Sequence, residues 1–352
     1  MPKKSFLYFT RFLSAFCLFL LIAKANIWVG AASNTILVLG YRFCILLAPF
    51  FLIFGTRNLC TLAFSLTLLG VIGWYFSIYF IGALLIAIGI AVGGYTLKFH
   101  AAQTPKGAAS NKIAINMGII FSGLAIACLP FTKNGFLWIV MIALLICIIL
   151  SFVSTSSNIA APKNLTDNFS TRSLFSIKGC GWALIGIALG IKMIAIFSIL
   201  PQYLIQTEHH LPQWYGFAIT INALVIVFLQ KTIMQFVKTF SFKQVLLALV
   251  LAMLLIGSAC FLHLASLIMA MLWTFILSVL ECVVTYLDTL ATHDGALLPK
   301  ETFWGVGSAL TVLLARTLPI QYSTIIVAVV GLIAIIGGMF LISLSSKRTK
   351  TT

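Results

Sequence analysis

One carboxylate stands inside an apolar run. Glu281 is flanked by Val279, Leu280, Cys282, Val283 and Val284, and a carboxyl group set in hydrocarbon exchanges its proton according to what surrounds it. It is the best candidate for a group that carries a coupling proton. Its alternative role is a static salt bridge to a cation at the same depth. Asp288 follows seven residues on, which on a helix is the same face two turns further along. Asp288 therefore either continues one path with Glu281 or forms a gate or loop ion pair with a lysine such as Lys231 or Lys300.

The matching cations are Lys192, Lys24 and Arg42. An ionisable side chain at bilayer depth costs roughly 2.5 to 3.5 kcal/mol on insertion scales, so each needs a route to the interface, a partner or a function. Lys192 lies in mid-span, too deep to reach either surface. Lys24 and Arg42 lie nearer span ends, as does Arg316 beside Pro319, for which the interfacial reading is preferred. Lys24, Arg42, Lys192 and the amide of Asn222 are the candidate substrate-binding residues, Glu281 the candidate coupling residue, and Asp288 with Gln230 the candidate gate. Asn222, Gln230 and Asn116 also suit hydrogen bonds between helices. Glu208, His209 and His210 form a short polar cluster without a further metal ligand nearby. The eight cysteines show neither metal-ligand nor redox spacing. Phosphate loops, serine elbows and clustered His/Asp sets are missing from the sequence. We therefore expect neither an enzyme nor a cofactor, and energy drawn from a gradient rather than from ATP.

These residues sit in a chain that is 62% hydrophobic and 8% charged, with a mean hydropathy of +1.15. Such a chain is expected to be a polytopic all-α membrane protein. A net charge of +16 would suggest nucleic acid in a soluble protein, but the lysines and arginines fall in alternate gaps between apolar runs, which excludes that reading. The basic gaps mark the cytoplasmic side, so both termini are expected inside and the number of spans even. Charge, Gly and Pro divide the chain into twelve spans, at roughly 9–30, 35–56, 58–75, 77–97, 111–130 and 135–155, then 180–204, 213–235, 243–262, 265–290, 302–319 and 322–344. Domains are expected at 1–155, a linker at 156–179, a second bundle at 180–346 and a basic tail at 347–352. Tryptophans near the span ends, among them Trp74, Trp138 and Trp182, suit the headgroup layer. The first span is expected to remain in the mature protein.

The two halves echo each other. Lys24 in span 1 is placed much as Lys192 in span 7, and the gaps after spans 4 and 10 each carry a His and a Pro-Lys step: His100 and Pro105-Lys106, His293 and Pro299-Lys300. This layout resembles the major facilitator superfamily of secondary transporters. The resemblance is sharpest in the second half, in Leu200, Pro201, Tyr203 and Leu204, then Gly216, Asn222 and Ala223, then Leu229 and Gln230, with Glu281 in span 10, an order similar to that of drug-efflux members. The family's loop 2/3 signature is reduced to Gly55, Thr56, Arg57 and Asn58, and the acid of span 1, the arginine of span 4 and the Gly-Pro-rich motif of span 5 have no counterpart.

The resemblance implies two six-helix bundles in an inner membrane, alternating about a midplane site, with a small-molecule substrate, protons as a candidate coupling ion, the lipid bilayer as surroundings and a monomeric state. Lys24, Arg42 and Lys192 outnumber Glu281 at depth, so an anionic or zwitterionic substrate is expected, whereas the family resemblance points to amphiphilic drugs. The alternatives are a non-transporting membrane sensor or assembly partner, motivated by the eroded loop motif, and a passive channel or lipid scramblase.

Overall fold

A computed structural model describes residues 4–29, 36–37, 40–41, 43–44, 56–128, 132–154, 172–209, 212 and 214–348. The secondary structure is helical. In the first half the long helices are α1 (Lys4–Trp28), α2 (Thr56–Tyr75), α3 (Tyr79–Ala102), α4 (Pro105–Cys128) and α5 (Lys133–Ser154). They are followed by the single turn α6 (Arg172–Phe175) and by α7 (Ile177–Glu208), α8 (Tyr215–Val237), α9 (Phe242–Gly257), α10 (Leu267–Val284), α11 (Tyr286–His293), α12 (Leu297–Thr317) and α13 (Ile320–Arg348). Seven described helices are long and apolar enough to cross a membrane. The expected span at 35–56 lies mostly outside the described residues, as does Arg42, and so do the side chains of Lys24 and Arg316. The chain divides into two compact units, Met1–Phe169 and Ser170–Thr352.

Hydrocarbon outside a helix gives apolar side chains no reason to turn inward, so helices join through small residues and shared polar groups. In the first unit α2 and α3 meet backbone to backbone. A Cβ added to Gly70 would come within 2.6 Å of the Gly82 carbonyl oxygen, and one on Gly89 within 2.4 Å of that of Ala63. α1 meets α4 in the same way, where a Cβ on Gly118 would lie 2.8 Å from the Phe12 carbonyl oxygen. Cys17, Leu20, Leu21, Phe64, Trp74 and Ile86 form the core of this unit. The α2–α3 turn holds Ser77 at a φ of 66°. Its hydroxyl lies 3.1 Å from that of Tyr79, which in turn accepts a bond from Lys133 Nζ at 3.1 Å. Lys133, the one basic residue in a gap otherwise poor in charge, thus has a local partner.

In the second unit α7 and α12 share the closest seam. Gly186 and Gly190, one turn apart on α7, face Lys300 and Trp304, and added Cβ atoms would meet those carbonyl oxygens at 2.3 and 2.0 Å. Gly307 of α12 returns the contact, 2.1 Å from the Ile187 carbonyl oxygen on the same test. On another side of α7, Gly181 packs on Gly338 of α13. Helix starts are capped by side chains that occupy the first free N–H groups. The Ser176 hydroxyl accepts from Gly179 N at 2.9 Å, and Ser241 with Gln244 completes a reciprocal box that opens α9.

The tryptophans differ in their surroundings. Trp74 and Trp182 are buried, and their indole N–H groups are spent on Tyr79 O and on Asp294 Oδ2, because a ring turned into a helix seam needs an acceptor there. Trp138 is exposed.

Candidate functional site

Seven charged side chains of the second unit pair up in three groups. The deepest joins α7 to α10: Lys192 Nζ lies 2.6 Å from Glu281 Oε2, with side chains 0% and 4% exposed. Lys192 follows Gly190 by two residues, so the glycine seam that draws α7 onto α12 also fixes the depth of this ammonium. Two opposite charges at hydrogen-bond distance in a dry interior hold one another. Removing either partner takes away the other's counter-charge and costs about 3 to 5 kcal/mol.

Glu281 belongs to a polar stripe. Thr274, Ser278, Glu281 and Thr285 are buried and spaced by four, three and four residues, which places them on one face of an otherwise apolar helix. α8 supplies amides opposite them. The Ser278 hydroxyl lies 2.8 Å from Asn222 Oδ1 and 2.7 Å from the Thr274 carbonyl oxygen, with one proton to give. Gln230 Nε2 donates to the Cys282 carbonyl oxygen at 3.0 Å, satisfying an acceptor in the last turn of α10. Thr285 donates to the Glu281 carbonyl oxygen at 2.8 Å. At the other end of the stripe the buried hydroxyl of Thr274 has no hydrogen-bond partner.

The second group lies beyond the end of α10. Lys300, fully buried, reaches Asp288 Oδ1 at 2.5 Å and Glu301 Oε1 at 2.6 Å. The third is more exposed: Asp294 pairs with Lys178 at 2.6 Å and accepts from Trp182 Nε1 at 2.9 Å.

This geometry brings several of the residues named from sequence together. Lys192 and Glu281, assigned separately to substrate and proton, form one pair. Asp288 joins Lys300, the ion-pair alternative, and the chain leaves regular helix at Thr285 between Glu281 and Asp288. Gln230 bonds a backbone carbonyl, and Asn222 bridges helices. Glu281 is not the only deep carboxylate, since Glu301 is 3% exposed. Among the described residues of this unit the buried carboxylates Glu281 and Glu301 are each held by a lysine. Sequence reasoning offered Lys300 as one partner for Asp288 but passed over Glu301, because it began span 11 at 302, whereas α12 starts at Leu297. Pro299 was the available signal, for proline is tolerated in the first turn of a helix. The stripe from Thr274 to Thr285 was legible by its spacing. Among the described residues no group of three or more His, Cys, Asp or Glu is placed to hold a metal.

No protein-family model matches the chain, and no curated protein matches it in sequence. Solved structures do match in shape. The human organic anion transporter TETRAN superposes with a TM-score of 0.68 at 12% identity, over 96% of this chain and 100% of that one. The E. coli fucose:proton symporter FucP gives 0.71 at 14% identity, over 96% and 98%. A double-tryptophan mutant of XylE gives 0.69 at 12%, over 96% and 95%. The chain is a multi-pass membrane protein with the fold of membrane transporters. That fold is the one found in the major facilitator superfamily.

Proposed function

We propose that the protein is a secondary active transporter that moves a small organic anion or zwitterion across the cell's inner membrane, coupled to a proton. Twelve spans form two six-helix bundles with both termini in the cytoplasm, and these alternate about a midplane site as a monomer. The buried Lys192–Glu281 pair carries this reading, with 2.6 Å between charges that have almost no access to solvent. A static pair of this kind contributes little net stability, whereas a pair that opens supplies both halves of a coupled step. Protonation of Glu281 releases Lys192, and an anionic group of the substrate takes the carboxylate's place on the ammonium. The Thr274 hydroxyl and the amide of Asn222 offer polar contacts along the same stripe. Loss of the proton restores the pair and expels the anion.

The likeness to an organic anion transporter and to a proton symporter supports the class, and the paired lysine supports the charge of the substrate. Asp288 and Lys300 act as a gate clasp beyond the end of α10. The test is counterflow of a panel of organic anions in proteoliposomes. Lys192→Ala is expected to abolish it while the protein stays folded and monodisperse, and unchanged counterflow in that variant rejects the role of Lys192.

A further inference from the structure

Away from the Lys192–Glu281 pair, the second unit contains a cavity of about 620 Å³. Its lining comes from the ends of four apolar spans: the starts at Ile177 and Phe242 and the ends at His293 and Ser346. Spans of this kind begin and end where hydrocarbon meets water, so the cavity lies at the membrane boundary, on the side that carries the basic gaps. One wall is apolar, made by Ile177, Phe242, Leu290 and Ile342. The other carries Lys178, His293, Ser345 and Ser346, with Trp182 and Asp294 behind Lys178.

Charge settles what fits. Asp294 is the one acid in the lining. Both of its oxygens are already engaged, one by Lys178 and one by the Trp182 indole. Lys178 keeps two further N–H donors, and its side chain is 40% exposed. Lys243, which is exposed, follows the lining residue Phe242 in sequence. A pocket with a hydrocarbon wall and a held ammonium at the headgroup level complements an acidic phospholipid.

We infer that this cavity is a binding site for an anionic phospholipid, with the phosphate on Lys178 and an acyl chain along Ile177, Phe242, Leu290 and Ile342. The site does not depend on the transport reading. Asp294 orients Lys178 and ties it to α7 through Trp182, so an occupied cavity braces the ends of α7, α9, α11 and α13 together.

The test uses the purified full-length protein in detergent, titrated with short-chain phosphatidylglycerol, with phosphatidylcholine of the same chain length and, separately, with inorganic phosphate. Phosphatidylglycerol is expected to raise the thermal unfolding midpoint by a few degrees at concentrations where the other two leave it unmoved. That shift is expected to fall away in Lys178→Gln, which removes the phosphate partner, and in Ser345→Phe, which fills the cavity and leaves its charges in place. An equal shift with phosphatidylcholine overturns the proposal, as does a shift reproduced by phosphate alone. A full shift in Ser345→Phe overturns it whatever Lys178→Gln does to folding.

Discussion

Replacing Lys192 by Met removes the ammonium from a pair whose carboxylate is 4% exposed. A carboxylate left in the interior without its counter-charge costs about 3 to 5 kcal/mol. Purified Lys192→Met is therefore expected to unfold well below the parent protein. Adding Glu281→Gln should restore most of that stability, because the double variant buries neither charge of the pair. A single variant with the parent's unfolding midpoint, or a double variant no more stable than the single one, refutes the reasoning.

Other perturbations follow from the packing. Gly190→Ala is expected to destabilise the α7–α12 seam by about 1 to 3 kcal/mol or more, since the new methyl meets the Trp304 carbonyl oxygen at 2.0 Å; the monodisperse yield and unfolding midpoint read this out. Gly123→Ala has nothing within 4 Å and should instead stabilise α4 by about 0.5 to 1 kcal/mol, visible as a raised midpoint. Ser241→Ala removes the cap of α9 and is expected to cost about 0.5 to 2 kcal/mol in the same assay. Asp294→Asn breaks a pair whose side chains are 40% and 30% exposed, so its effect on unfolding should stay within about 1 kcal/mol.

The sequence made the elements legible because a bilayer permits few alternatives: apolar runs of sufficient length become helices, and charge marks where they stop. It also singled out Lys192 and Glu281, since each is costly alone. Their pairing was not legible, because the two are 89 residues apart and nothing in either run states which neighbours α7 and α10 share. That information lies in backbone approach, in glycines such as Gly186, Gly190 and Gly307 whose value appears only when the facing carbonyls are placed. Lys300 was legible as one partner for Asp288, but Glu301 was hidden by a boundary set five residues late, which left it outside the span. Gly295, with a φ of 66°, ends the preceding turn and allows α12 to begin at Leu297, so the two charges enter the fold with the first turn of the helix.

Coupling between a proton and a substrate on one buried pair is the central claim, and the most direct measurement is luminal pH in sealed proteoliposomes under an imposed gradient, with organic anions and amphiphilic cations added in turn. The account predicts proton movement that depends on an anion and disappears in Glu281→Gln while the protein remains folded. Proton movement of full size in Glu281→Gln, or none with any anion in the parent protein, contradicts it.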